Sequence, residues 1–96
     1  MKTLFILNLT YKKDLQEVEN YLEEHNQYLE NYYSKGNFIC SGRKNPRTGG
    51  IIISSFHTLD EAQEAIKDDP FYKHEIAEYS IVEFSPSKVD SSVLKL

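Results

Sequence analysis

The sequence of 96 residues has few of the residues that define disulfide-stapled, metal-bound or membrane-spanning chains. It contains a single cysteine, Cys40, which excludes an intramolecular disulfide and a zinc knuckle built on a cysteine pair. The longest strongly apolar run near its start, Leu4 to Leu7, is far too short for a membrane span or a signal-peptide core. We therefore expect a cytoplasmic protein that has no membrane partner and whose mature chain begins at Met1.

Positive charge is also scarce, because 11 basic residues stand against 15 acidic ones and give a net charge of -4. General nucleic-acid binding needs a basic field that displaces counterions from phosphate, so we expect no nucleic-acid partner. The first predicted strand and the strand over 50–56 also lack the aromatic-rich pattern of an RNA-recognition sheet. With 40% hydrophobic residues, the composition is that of one small globular domain.

The hydrophobic pattern predicts four strands and two helices. The first strand runs from Thr3 to Thr10 and is rich in β-formers. A long helix follows, with Asp14 as its N-cap and Gly36 as its C-terminal stop. The remaining elements are strands at 37–41, 50–56 and 77–84, and a helix from Thr58 to about Asp68 that Pro70 closes. This order predicts a ferredoxin-like βαββαβ fold, an α+β domain with both helices on one side of a four-stranded antiparallel sheet.

Apolar side chains occur on both faces of the predicted strands, although the two helices cover only one face of the sheet. On the first strand, Phe5 and Leu7 lie on one face, and Leu4 and Ile6 on the other. The simplest cover for the second face is another copy of the chain. We therefore expect a homodimer packed through the sheet face, with the association of a dimeric α/β-barrel. The domain is expected over residues 1–86, with a C-terminal tail at 87–96.

His25 is the anomaly of the long helix, because it lies near the centre of the helix's apolar sector. One interpretation is a core histidine whose ring is satisfied by a neighbouring hydroxyl or carbonyl. The other is a general acid or base, since an imidazole titrates near neutral pH and can be tuned by its surroundings. A catalytic histidine needs a partner that fixes its tautomer. Asp69, held extended by Pro70, is the best candidate, and Asp68 suits the spacing nearly as well.

The segment from Gly42 to Gly50 concentrates positive charge in an otherwise acidic chain. It holds both arginines, Arg43 and Arg47, together with Lys44 and several glycines. Arginine matches the geometry of carboxylate and phosphate, and glycines let an anion approach backbone N–H groups. The segment is either an ordinary solvated hairpin or an anion-binding loop, and it lacks the order of a nucleotide hydrolase's phosphate-binding loop. The spacing of the histidines and the cysteine predicts no metal site.

Taken in order, several short fragments resemble those of the YciI-like (YCII-related) family of small dimeric α+β proteins. The resemblance extends from Phe5 to Pro86. Its fragments are Glu24-His25, Gly36, Ser41-Gly42, Asn45-Pro46-Arg47-Thr48-Gly49-Gly50 and Asp69-Pro70-Phe71. The resemblance implies an active site around a histidine–aspartate pair, which here would be His25 and Asp69, with Ser41 and Gly42 nearby.

The resemblance also implies an enzyme that needs no cofactor and performs lyase or isomerase chemistry, dehydrochlorination included, on a small anionic or aromatic substrate. In this hypothesis His25 transfers a proton and Asp69 orients its ring. Arg47, with Arg43 as second choice, would hold a substrate carboxylate or enolate oxygen, and backbone N–H groups near Gly42 would share that oxyanion. The alternative hypothesis is a non-catalytic domain that binds a ligand or a partner with the same cleft.

Overall fold

The computed structural model describes residues 3–95. Met1, the expected start of the mature chain, and Leu96, the end of the predicted tail, lie outside the described residues. The elements in chain order are β1 Leu4–Tyr11, α1 Leu15–Ser34, β2 Phe38–Arg43, β3 Gly49–Ser55, α2 Leu59–Lys67, α3 Pro70–Lys73 and β4 Ala77–Phe84. The predicted order of strands and long helices is confirmed, and a short helix, α3, is added to it.

The four strands form one sheet in the order β2-β3-β1-β4, and every neighbouring pair is antiparallel. The central strand β1 therefore pairs with β3 on one side and β4 on the other. This is the ferredoxin-like arrangement that the sequence predicts. Within residues 3–95, no helix has the length and apolar character needed to cross a membrane.

The core lies between the sheet and the helices. Phe5, Leu7 and Leu9 alternate along β1, point toward the helices and are at most 2% exposed. Burying each such side chain contributes roughly 1.5–3 kcal/mol. The core also contains Val18, Tyr28 and Tyr32 of α1 and Ala62, Ala65 and Ile66 of α2.

Both long helices begin at capping side chains, α1 at the predicted cap Asp14 and α2 at Thr58. The Asp14 carboxylate accepts the backbone N–H of Glu17 at 3.0 Å, and the Thr58 hydroxyl accepts that of Glu61 at 3.2 Å. Each cap satisfies one of the N–H groups that the first turn of a helix leaves without a partner.

The end of α1 depends on a glycine. Gly36 has φ +80°, in the left-handed region that glycine enters without a steric penalty. Its N–H donates to the Tyr33 carbonyl at 3.0 Å, and the N–H of Asn37 donates to the Tyr32 carbonyl at 3.0 Å. This pair of bonds is a Schellman motif, which ends the helix and turns the chain into β2.

Pro70 has a different role from the predicted one, since it opens a helix rather than only closing the previous one. Helix α2 already ends at Lys67, and Pro70 is the first residue of α3. Proline suits this position because its missing N–H would have no partner there in any case. Asp69 is the N-cap of α3: its backbone is extended, and its carboxylate accepts the N–H of Phe71 at 3.0 Å. The position of Asp69 is therefore fixed by its backbone and by its side chain.

The β2–β3 hairpin is longer than the sequence predicts. Gly42 and Arg43 belong to β2, and Gly49 and Gly50 belong to β3. A Cβ atom at Gly49 would lie only 1.9 Å from the Leu9 carbonyl oxygen, so a side chain there would collide with the backbone of β1. Glycine lets the two strands approach closely at this end of the sheet. The cationic hairpin consequently lies beside the end of β1.

Candidate active site

A cleft of about 390 Å³ is bordered by α1, the β2–β3 hairpin, the end of β1 and α3. All four residues predicted to bind substrate line it: Ser41, Gly42, Arg43 and Arg47. His25 also lines the cleft, from the side of α1. The structure thus brings predicted residues from two separate chain segments, α1 and the β2–β3 hairpin, around one cleft.

Behind His25 lies the predicted partner carboxylate. The Nδ1 atom of His25 is 2.8 Å from Oδ1 of Asp69. Asp69 is fully buried, and 9% of the surface of His25 is exposed. Asp68, the alternative partner, instead accepts a hydrogen bond from the Tyr32 hydroxyl. Of the two carboxylates that the spacing allows, Asp69 is the one in contact with the histidine.

The orientation of the His25 ring is restricted by stacking as well as by Asp69. The ring is parallel to that of Phe71, with planes 3° apart and centroids 4.0 Å apart, and the ring of Tyr28 lies 5.9 Å away. Because Nδ1 faces Asp69, Nε2 is the ring nitrogen left for a ligand in the cleft. In neutral imidazole this pairing puts the proton on Nδ1 and a lone pair on Nε2.

Asp69 is surrounded by hydrogen-bond donors. Its Oδ1 accepts from His25 and from the N–H of Phe71, while its Oδ2 accepts from the hydroxyl of Tyr79. A buried carboxylate is tolerated only when such donors replace water. Sequence reasoning does not identify Tyr79. The alternation of apolar and polar side chains along β4 predicts that Tyr79 faces inward. Its contact with Asp69 cannot be predicted in this way, because the contact depends on how α3 packs.

The tyrosines around this carboxylate have displaced pKa values. Burial raises the pKa of Tyr79, and the negative charge of Asp69 raises it further. The same two causes, in the same order, raise the pKa of Tyr28, whose hydroxyl donates to the Ala65 carbonyl at 2.8 Å. Both phenols therefore stay protonated at neutral pH and act as hydrogen-bond donors.

The two arginines of the hairpin have different surroundings. Nη2 of Arg47 lies 2.9 Å from Oε1 of Glu19 on α1. Its hydrogen bonds, first to Glu19 and then to Tyr11, raise the pKa of Arg47. Arg43 forms no ion pair or side-chain hydrogen bond with any residue between 3 and 95. Arg47 therefore links the hairpin to α1, while Arg43 leaves a cation in the cleft that has no counterion among residues 3–95.

Ser41 and Gly42 occupy the exposed edge of the cleft on β2. The Ser41 hydroxyl lies 2.7 Å from the hydroxyl of Tyr33 at the end of α1. A Cβ atom at Gly42 would meet nothing within 4 Å, so packing does not require glycine at this position. No group of three histidine, cysteine or acidic residues in the described part of the chain could hold a metal ion.

The fold and the site together define a class: a small α+β domain with a histidine–carboxylate pair at the wall of one cleft. The chain belongs to the YCII-related domain family, whose sequence model matches residues 3–85. The resemblance seen in the sequence is thereby confirmed.

The solved structures similar to the chain include that of 5-chloro-2-hydroxyhydroquinone dehydrochlorinase from Burkholderia phenoliruptrix, in complex with 2,5-dihydroxybenzoquinone. The two share 20% sequence identity with a TM-score of 0.75, over 85% of this chain and 93% of the other. At this identity, the likeness establishes the fold. No curated protein sequence matches the chain.

The raised tyrosine pKa values predict a loss of stability at alkaline pH. The pKa of Tyr28 in the folded chain lies above the value of about 10 in the unfolded chain, so its stabilising contribution is complete below pH 10. That contribution is lost as pH rises above 10 toward the folded pKa, because only the unfolded state releases the proton. The free energy of unfolding, measured by urea denaturation, should therefore fall above pH 10. In Tyr28→Phe the free energy of unfolding should fall less steeply, and the slope should be smaller by up to about 1.4 kcal/mol per pH unit. Identical slopes in both proteins would contradict the assignment.

Proposed function

We propose that the chain is a small-molecule enzyme of YciI type in which the pair of His25 and Asp69 transfers a proton, without a cofactor. The observation that carries this proposal is the His25 ring at the cleft wall, with Nδ1 2.8 Å from a fully buried carboxylate. Such a carboxylate fixes the tautomer of the ring and stabilises the imidazolium that forms when Nε2 takes a proton.

In the proposed reaction, Nε2 of His25 removes a proton from a substrate carbon next to a carbonyl group. The electron pair left behind either forms an enolate at the carbonyl oxygen or expels a leaving group such as chloride. In the first case, the imidazolium returns the proton to a different carbon, and the substrate is isomerised. In the second case, the product has lost one proton and one anion, which is a lyase reaction.

We assign the substrate's anionic oxygen first to Arg43 and second to Arg47, the reverse of the order that the sequence favours. Arg43 lines the cleft without a counterion among the described residues, whereas Arg47 is paired with Glu19. A guanidinium group can hold a carboxylate or enolate oxygen through two parallel hydrogen bonds. The hydroxyl of Ser41 and the backbone at Gly42 would supply further contacts to the same ligand.

Variants at the two key positions separate proton transfer from binding. The starting ligands are a panel of hydroxylated and chlorinated ring compounds, beginning with 5-chloro-2-hydroxyhydroquinone, whose turnover releases chloride. His25→Gln should lower kcat by about 10²- to 10⁴-fold, the range for loss of a general base. Arg43→Gln should chiefly raise KM, because it removes a charge-assisted contact to the bound anion.

The control for these variants is His74→Gln, which alters an exposed histidine outside the cleft and should leave both constants unchanged. Equal activity in His25→Gln and the wild type would contradict proton transfer by this residue. Ligands that bind in the cleft and are recovered unchanged would instead support the alternative, a non-catalytic binding domain.

We also propose that a second copy of the chain covers the open face of the sheet. On this face Val82 and Phe84 of β4 are 55% and 40% exposed. Val82 pairs with the half-buried Ile6 of β1 and Phe84 pairs with Leu4, which is itself buried, so the apolar side chains on this face are contiguous rather than isolated. Patches of this kind on small domains are typical of contacts between subunits, and a twofold axis would bring the same patch against itself.

Sedimentation analysis tests this homodimer. The wild type should sediment as two chains, and Val82→Lys should sediment as one, because the lysines would bury unpaired charges in the interface. Glu83→Lys is the matched control, since it places a lysine at the neighbouring position of β4, which points to the other face. A wild-type protein that sediments as a single chain at micromolar concentration would contradict the proposal.

A further inference from the structure

We infer that Tyr79 is a positioning residue of the proposed proton-transfer site, where it holds Asp69 in the orientation that receives the His25 imidazole. The inference rests on the proposed function and adds a residue to the same site. Tyr79 lies on β4 opposite Leu9 of β1, and it packs against the hydrophobic core. Its hydroxyl donates a hydrogen bond to Oδ2 of Asp69.

The two oxygens of Asp69 have different tasks. Oδ1 accepts from Nδ1 of His25 at 2.8 Å and from the N–H of Phe71 at 3.0 Å. Among the described residues, Tyr79 is the donor that engages Oδ2. A carboxylate turns about its Cβ–Cγ bond with a broad, two-fold preference, so bonds on one oxygen alone leave it free to rock. The hydroxyl of Tyr79 restrains the second oxygen and so keeps the first one facing His25.

Burial makes this restraint difficult to replace. Asp69 has no exposed surface, so bulk water cannot supply a donor to Oδ2 when the tyrosine hydroxyl is removed. Burial and the nearby carboxylate raise the pKa of Tyr79, so the phenol remains a donor across the neutral range. Tyr79 is absent from the lining of the cleft, and it would therefore act on the ligand only through Asp69 and His25.

The chain supplies a matched control one residue away. The hydroxyl of Tyr32 donates to Oδ2 of Asp68, as that of Tyr79 does to Oδ2 of Asp69. Among the described residues, the side chain of His25 forms its hydrogen bond with Asp69 and not with Asp68. Tyr32→Phe and Tyr79→Phe thus remove the same hydroxyl donor from two adjacent carboxylates. Only Tyr79→Phe affects the carboxylate that is hydrogen-bonded to His25.

The first measurement needs no substrate. It is the NMR resonance of the proton on Nδ1 of His25 in the wild type and in both variants. In Tyr79→Phe this resonance should move upfield, because a carboxylate that is free to rock is less well aligned with the ring N–H and accepts a weaker hydrogen bond from it. It should stay in place in Tyr32→Phe. A resonance that does not move in Tyr79→Phe, or that moves equally in both variants, would overturn the inference.

The second measurement determines kcat and KM separately for the wild type and both variants. Tyr79→Phe should lower kcat by about 10- to 100-fold, as expected for loss of a hydrogen bond to a charged group, and leave KM unchanged. A change in KM alone, or an equal loss in Tyr32→Phe, would overturn a positioning role. If the wild type turns over no ligand of the panel, the proposed function fails, and the Nδ1 resonance still decides the role of Tyr79.

Folding of the variant is not a requirement of the test. If Tyr79→Phe does not fold, the hydroxyl proton of Tyr79 is measured in the wild type. Protection of that proton from exchange with water supports the bond to Asp69, because a hydroxyl bonded to a buried carboxylate exchanges only when the site opens. Rapid exchange would overturn the inference.

Discussion

Asp69 carries a charge and is completely buried, so the protein around it has to provide the hydrogen bonds that water would otherwise make. Three elements supply them: α1 through His25, the start of α3 through the N–H of Phe71, and β4 through Tyr79. Removing one partner of a buried charge costs about 3–5 kcal/mol, a large part of the stability of a small domain. The positions of α1 and α3 against the sheet are therefore coupled through one carboxylate.

The same carboxylate determines how the cleft can act. Since Asp69 occupies Nδ1 of His25, the imidazole presents Nε2 to a ligand. On the opposite wall, the ion pair of Arg47 with Glu19 links the hairpin to α1, and Arg43 keeps its charge without a counterion among the described residues. A chain with a net charge of -4 thus contains a cleft with local positive charge, as the proposed binding of a small anionic ligand requires.

Much of the fold could be predicted because its signals are local. The cap at Asp14 and the left-handed stop at Gly36 depend on a few neighbouring residues, and the structure has both. The site depends on contacts between distant segments, so the sequence leaves Asp68 and Asp69 open as partners of the histidine. In the structure Asp69 is the N-cap of α3, and this position places Asp69, and not Asp68, beside His25. The contribution of Tyr79 needs the packing of β4 against α3, which no spacing reveals. The homodimer, the cytoplasmic location and the separate C-terminal tail stay predictions.

The proposed role of the buried Asp69 carboxylate is to fix the His25 ring with its proton on Nδ1 and its lone pair toward the cleft. The most direct test is the ¹⁵N spectrum of the imidazole in the wild type, in Asp69→Asn and in Asp68→Asn. We expect the neutral ring of the wild type to carry its proton on Nδ1, the Nδ1 shift to change in Asp69→Asn, and Asp68→Asn to match the wild type. A neutral ring protonated on Nε2, or equal spectra for both variants, would contradict the account.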